Sequence, residues 1–251
     1  MVILKSKDEI EKIRKACRVV ATVLSELEAQ VKPGRTTVEL DQLAEKMILK
    51  LGAKPAFKGY RGFPATLCAS INNEVVHGIP SQRVLKEGDI IGLDLGAIVD
   101  GYYGDAAITV SVGSVPDETE RLIRVTKESL SLGIQQIETG KRLSDISHAI
   151  QEHVEKAGFS VVTDFVGHGI GRNLHEDPQI PNFGKPGQGL RLRPGMTLAI
   201  EPMVNMGSGA VKILEDNWTA VTQDGTLSAH FEHTVLVGEG GAEILTERTS
   251  S

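Results

Sequence analysis

The chain has 251 residues, 33 acidic against 27 basic side chains and a net charge of −6, with 40% hydrophobic, 24% charged and 4% aromatic residues. That composition belongs to a folded chain with a sizeable core; the acidic balance argues against a protein that coats nucleic acid through neutralised phosphates, and the few aromatics argue against a base-stacking platform. No apolar run approaches the ~18 residues that cross a bilayer, the charged start MVILKSKDEIEKIRK is not a signal peptide, and two cysteines, Cys17 and Cys68, suit a reducing cytoplasm rather than a disulfide framework.

The first predicted element is a helix. Ser6 and Glu9 form a capping box, in which each side chain bonds the other's orphan amide. Ile10, Ile13, Val20, Leu24, Leu27 and Val31 then make one apolar stripe, and Pro33-Gly34 ends it. A second helix runs from about Thr37, with Leu40, Leu43, Ala44, Met47, Ile48 and Leu51 inside, and stops at Gly52. Lys-Glu-Gly-Asp at 86–89 leads into a strand, Ile90-Ile-Gly-Leu-Asp-Leu. Val99-Asp-Gly-Tyr102 then puts Asp-Gly at the centre of a tight hairpin turn. Pro116 with Asp117 and Glu118 opens a third helix, where acids favour the N-terminal dipole. A fourth helix fills the stretch from Gly140 to Gly158. Arg-Pro-Gly-Met at 193–196 leads into a strand ending Leu198-Ala-Ile-Glu-Pro-Met, and a last strand is His230-Phe-Glu-His-Thr-Val-Leu-Val.

These elements echo. Gly34 to Gly52 and Gly140 to Gly158 are both 18 residues apart, and at an offset of 106 Leu40 matches Ile146, Ala44 matches Ile150 and Ile48 matches Val154. A carboxylate lies six residues after the glycine in each strand signal: Asp94 after Gly88, Glu201 after Gly195, an offset of 107. The plain alternative is coincidence between short amphipathic helices. The near-constant offset favours two halves, about 1–113 and 114–240, sharing one sheet in a single domain over 1–251.

A two-residue turn at Asp100-Gly101 pairs 99 with 102, 96 with 105 and 94 with 107. Asp94 and Asp105 then become diagonal neighbours on one face, with Cα atoms ~7–8 Å apart. Two readings fit: solvated hairpin residues, or like charges held together by a cation. Asp94 lies inside an apolar run, which favours the cation. Glu201 and Glu232 are two more acids inside apolar strands, and buried acids without partners are costly. His168, in Phe165-Val-Gly-His-Gly-Ile-Gly, is either a hydrogen-bonded loop residue or the nitrogen ligand of the same site; its glycines leave room for close approach. Four carboxylates and an imidazole suit two divalent ions such as manganese, iron(II) or cobalt, with zinc also compatible. A cysteine-based zinc site is excluded. Two such ions ~3.5–4 Å apart support metal-assisted hydrolysis.

VVHGIP at 75–80, LDLGAIVDGYYGDAA at 93–107, FVGHGIGRNLHEDPQIPNFG at 165–184, LAIEPM at 198–203 and FEHTVLV at 231–237 resemble type I methionine aminopeptidase, a likeness that covers nearly the whole chain. The resemblance implies the pita-bread α+β fold, a curved antiparallel sheet backed by helices with pseudo-twofold related halves, and removal of the initiator methionine from nascent chains with a small second residue preferred. It implies Asp94 and Asp105 on one ion, Asp105 bridging to the second, His168 and Glu201 completing the second, and Glu232 bridging both. A water held between the ions is the family's nucleophile, with Glu201 as proton shuttle. His175 would stabilise the tetrahedral oxyanion, and His77 would contact the scissile peptide unit, although His77 could equally cap a turn.

The family's methionine pocket maps to Tyr60, Phe63, Cys68, Leu174 and Trp218; ordinary core packing serves as well for Phe63 and Leu174. Cys68 is not a nucleophile here. By strand alternation His230 and His233 should point to the opposite face and the adjacent side from Glu232, and His148 and His153 are helix residues outside the site. The zinc-finger extension of eukaryotic type I forms, the type II insertion and the large N-terminal prolidase domain are expected to be absent. The expected partners are nascent polypeptide N-termini at the ribosome, with no direct nucleic acid and no membrane, for a cytoplasmic monomer. The rival readings are a proline-directed dipeptidase of the same fold and a non-catalytic module of that fold.

Overall fold

The computed structural model describes residues 2–248; Met1 and 249–251, the ends of the expected domain, lie outside the described residues. Helix α1 (Lys7–Gln30) opens on the Ser6–Glu9 capping box and buries Ile13, Val20, Leu24 and Leu27 together with Ala16 and Cys17. Val31 adopts an extended backbone and ends it just before Pro33-Gly34. Helix α2 (Thr37–Lys50) opens on a second capping box, Thr36 with Glu39, and buries Leu40, Ala44 and Ile48; Leu51, expected inside, is exposed.

Strands β1 (Lys54–Pro55), β2 (Leu67–Ile71) and β3 (Glu74–Val76) precede the long hairpin of β4 (Ile90–Val99) and β5 (Tyr102–Ser111). Helices α3 (Asp117–Gln135) and α4 (Leu143–Lys156) begin the second part. Then come β6 (Ser160–Val161), β7 (Gly167–Gly169), β8 (Glu176–Ile180), β9 (Thr197–Ile200) and β10 (Met203–Asn205). The last strands are β11 (Val211–Ile213), β12 (Ala220–Thr222), β13 (Ser228–His230), β14 (Glu232–Gly238) and β15 (Gly241–Ile244).

Among the described residues the main sheet has nine strands, in the order β1-β4-β5-β14-β9-β7-β8, with β2 added on β4 and β15 on β14. Every pairing is antiparallel, so the α+β expectation holds. Two three-stranded sheets, β13-β10-β6 and β11-β12-β3, flank it. Asp100 and Gly101 both have positive φ, 51° and 78°, the backbone a type I′ hairpin turn requires. The pairing is as the turn predicts: Val99 with Tyr102, Gly96 with Asp105, Asp94 with Ala107. Helix α1 packs across this hairpin at Gly104, where an added Cβ would lie 2.6 Å from the Cys17 backbone nitrogen. Only glycine permits that approach, and it locks the site-bearing hairpin onto the helix. No helix of the described residues is long and apolar enough to cross a membrane.

Corresponding turns in the two parts of the chain use the same hydrogen bonds. Gly34 N donates to Leu85 O and Leu85 N to Arg35 O, at 2.9 and 2.8 Å. Gly140 N donates to Leu192 O and Leu192 N to Lys141 O, at 3.2 and 2.8 Å. Gly88 and Gly195, before β4 and β9, share a left-handed backbone with φ of 87° and 89°.

Candidate metal centre

Sheet register puts the acids on one face. Residues paired across strands project to the same side. Glu232 pairs with Ala107, Ala107 with Asp94, and Asp94 with Cys68, a row across β14, β5, β4 and β2. Asp105 is two residues from Ala107 on β5 and so shares that face. His168 pairs with Ala199, and Ala199 with Thr234, which is two residues from Glu232. Glu201 follows Ile200 at the end of β9. Ala107, small and central in the row, leaves space between Asp94 and Glu232.

The strands part at the site, and two threonines brace the opening. Asp105 N donates to Thr234 Oγ1 at 3.2 Å, and that hydroxyl donates back to Asp105 O at 2.7 Å. On the other side of the two paired residues, His230 N donates to Thr109 Oγ1 at 2.9 Å and Thr109 Oγ1 to His230 O at 2.8 Å. The backbone of both site residues is therefore satisfied without closing the gap between β5 and β14.

All twelve sequence-predicted site residues line one cavity of about 150 Å³: Tyr60, Phe63, Cys68, His77, Asp94, Asp105, His168, Leu174, His175, Glu201, Trp218 and Glu232. Phe57 and Arg61 line it too and carried no motif that marked them. Asp105, His168 and Glu232 are 4%, 7% and 2% exposed, so water cannot screen them. Their ligand atoms lie within 4.8 Å of one another, and so do those of Glu201, His230 and Glu232. His168 Nε2 is 3.5 Å from Glu201 Oε1 and 4.0 Å from Asp105 Oδ2. Its Nδ1–H donates to Gly169 O at 2.9 Å, which leaves the Nε2 lone pair toward the acids, the tautomer a metal ligand needs.

The electrostatics are unfavourable without a cation. Burial pushes the Asp94 carboxyl up to about 7. Burial, then the charges of Glu232 and Asp94, holds Asp105 well above its ordinary value. Glu201 is raised by burial and then by Asp94 and Asp105, and Glu232 by burial and then by Glu201 and Asp94. Burial pushes His168 down to about 3, with the nearby His175 adding to the effect, so its imidazole is neutral. Asp94 Oδ1, Asp105 Oδ1 and Glu232 Oε1 are buried without a hydrogen-bond donor. Orphan carboxylate oxygens facing a neutral imidazole lone pair are an acceptor-only set, and divalent cations satisfy such a set. The residues fit a metal.

Above the acids, Tyr60 OH bonds His175 Nδ1 at 2.8 Å and the rings stack at 5.3 Å. Phe63 meets Trp218 edge-on at 5.1 Å, and Leu174 and Cys68 belong to the same apolar cluster. His77 packs edge-on against Phe165 and Trp218, on a left-handed backbone with φ of 61°, and burial lowers its pKa to about 4. Cys68 is buried and its thiol is raised well above its ordinary value, first by burial and then by Asp94, which keeps it un-ionised. His233 lies on the other face, bonded to Thr246 Oγ1 at 2.9 Å. His230 departs from its expected position: two residues before Glu232, its Nε2 is 3.7 Å from Glu201 Oε2. Strand parity brings every second residue back to one face, and only Phe231 separates β13 from β14.

The segment carrying His175 is tied down by a buried ion pair. Lys5 Nζ donates to Glu176 Oε2 at 2.6 Å, and Asn173 N donates to Glu176 Oε1 at 3.1 Å. The two charged side chains are only 4% and 8% exposed. Removing one partner strands the other charge in the interior, a cost of ~3–5 kcal/mol. Lys5→Met is therefore expected to lower unfolding free energy by ~3 kcal/mol in denaturant titration, with Lys5→Met/Glu176→Gln recovering part of it. A loss below ~1 kcal/mol for the single variant contradicts this.

The model of metallopeptidase family M24 matches residues 11–239. The chain is 56% identical over 246 residues to methionine aminopeptidase 1 of Bacillus subtilis, covering 98% of this chain and 99% of the relative. It is 55% identical to methionine aminopeptidase of Clostridium perfringens, with the same coverage. Its coordinates match the crystal structure of methionine aminopeptidase from Thermotoga maritima with a TM-score of 0.98 and 53% identity, covering 99% and 100% of the two chains.

Proposed function

The chain belongs to metallopeptidase family M24, and from that premise we propose how its residues carry out the reaction. It is a metal-dependent aminopeptidase of the pita-bread fold that removes the initiator methionine from nascent polypeptides. The observation that carries the reading is the convergence of two buried acids, two half-buried acids and the free Nε2 of His168 beneath an apolar pocket in one cavity.

Asp94 and Asp105 would hold one ion and His168 and Glu201 a second, with Asp105 and Glu232 serving both. When bound, the divalent ions supply Lewis-acid activation of a water and of the scissile carbonyl. Manganese, iron(II), cobalt and zinc all suit this oxygen-rich donor set. Glu201 accepts the proton of the attacking water and delivers it to the leaving amine. Tyr60 donates its hydroxyl proton to His175 Nδ1, which places the single N–H of the neutral ring on Nε2, free to donate to the developing oxyanion. Burial and then the Arg61 charge lower the His175 pKa, which keeps that ring neutral. His77 contacts the peptide unit being cut. Tyr60, Phe63, Cys68, Leu174 and Trp218 enclose the methionine side chain, whose flexible thioether suits an aromatic and sulfur-lined pocket. A small second residue is preferred, by resemblance to the family.

The matched turns at offsets of 106 and 107 support one catalytic domain over 1–251 with halves at about 1–113 and 114–240. It acts in the cytoplasm on nascent N-termini at the ribosome, as a monomer without direct nucleic acid contact. The test is hydrolysis of a peptide panel across a metal series. Methionine is expected to leave Met-Ala-Ser only with added divalent metal, and proline-containing dipeptides to stay intact. Cleavage of the dipeptides with Met-Ala-Ser untouched would make the protein a proline-directed dipeptidase instead.

A further inference from the structure

His230 ends β13 immediately before the site, and its backbone is pinned from both sides by the Thr109 hydroxyl. Its side chain is 4% exposed. Its Nε2 is buried without a hydrogen-bond partner and points at Glu201 Oε2, 3.7 Å away. Glu201 thus has an imidazole at each oxygen: His168 Nε2 lies 3.5 Å from Oε1 and His230 Nε2 lies 3.7 Å from Oε2. The two imidazoles are not equivalent. His168 spends its N–H on Gly169 and offers a lone pair, and it groups with Asp105 and Glu232. His230 groups instead with Glu201 and Glu232. An orphan buried polar nitrogen is costly, and a carboxylate oxygen within reach is the acceptor that satisfies an N–H there.

We infer that His230 is a positioning residue for Glu201: its Nε2–H donates to Glu201 Oε2 and so turns Oε1 toward the ion shared with His168. A shift of under ~1 Å closes the present gap to hydrogen-bond length. The Glu201 backbone is already held, by Asn182 Nδ2 donating to its carbonyl at 3.0 Å, so His230 governs the side chain alone. The inference rests on the ion assignment proposed above.

Calorimetric titration of the metal-depleted protein with Mn(II), together with Co(II) absorption spectra, tests it on the wild type, His230→Gln and His230→Leu. Wild type is expected to bind two ions. Gln, whose amide can donate the same bond, keeps both steps within ~3-fold. Leu weakens one step by ~10–100-fold, the usual effect of losing a partner that orients a ligand, and leaves the other step and the Co(II) band intensity per bound ion unchanged, because His168 still ligates. Wild-type affinities in the Leu variant overturn the inference. So does a Gln variant as weak as Leu with altered Co(II) bands, which would make His230 a direct ligand. Failure of the wild type to bind two ions is a separate result, and it would remove the ion assignment together with this consequence.

Discussion

Asp105→Asn and Glu232→Gln are each expected to lower kcat/KM for Met-Ala-Ser by ~10³-fold or more. Both carboxylates sit on one sheet face, one residue pair apart across β5 and β14, and both are proposed to touch two ions. An amide keeps the shape but withdraws a negative charge and one anionic donor. Metal-assisted activation is worth several kcal/mol of transition-state stabilisation, and ~4 kcal/mol corresponds to about a thousandfold. The same substitutions should act with the opposite sign on the metal-free protein, because each removes one of four clustered carboxyl groups that raise one another's pKa. Its thermal midpoint at pH 8 should rise, while the gain from added Mn(II) shrinks. Retained activity in both variants, with metal binding unchanged, would remove the hydrolytic mechanism.

The chelated protein should lose stability as pH rises from 7 to 8. Asp94, Asp105, Glu201 and Glu232 all have folded-state pKa values raised by burial and, for the last three, by one another. The folded chain therefore keeps protons that the unfolded chain has released, and stability declines with rising pH across that interval. For Asp94 the decline starts near its ordinary 3.8 and ends near 7; the other three, held well above their ordinary values, act in the same direction. Buried histidines oppose this at lower pH: His168 and His230 are pushed to about 3 and His77 to about 4. The unfolded chain protonates them below about 6.5, so their contribution is lost as pH falls. Between pH 7 and 8 these rings are neutral in both states and the acids act alone, at up to ~1.4 kcal/mol per pH unit for each group titrating. Added metal should reverse the slope, since it binds the deprotonated acids, and at 100 times Kd it adds ~2.7 kcal/mol. Denaturant midpoints at pH 7.0, 7.5 and 8.0, with chelator and with Mn(II), read both effects. A flat or rising profile with chelator would contradict the electrostatic account.

Much of the site was legible before any coordinates. The Ser6–Glu9 box, the apolar stripe of α1 and the Asp100-Gly101 turn depend on neighbours within a few residues, and all three form as expected. The turn alone settled the parity that puts Asp94 and Asp105 on one face. Acids inside apolar strands marked Glu201 and Glu232, because an uncompensated buried charge is too costly to be incidental. His230 was assigned to the wrong face, although its parity with Glu232, two residues on, brings it to the same side. A count of two residues back from Glu232 was the available signal. Phe57 and Arg61 had none, since an aromatic or a cation near a loop is compatible with many surroundings.

What the letters determined by themselves is the set of donors, their local backbone and the face each presents, because sterics and hydrogen bonding over one turn or one hairpin act regardless of the rest of the chain. Only the tertiary structure decided which of those faces meet. Strand pairing across more than a hundred residues set Glu232 beside Ala107, a shorter-range pairing set His168 beside Ala199, and packing brought Lys5 to Glu176 and Tyr60 to His175. Such contacts follow from how elements distant in sequence bury their surfaces together, and no periodicity within a single element encodes them.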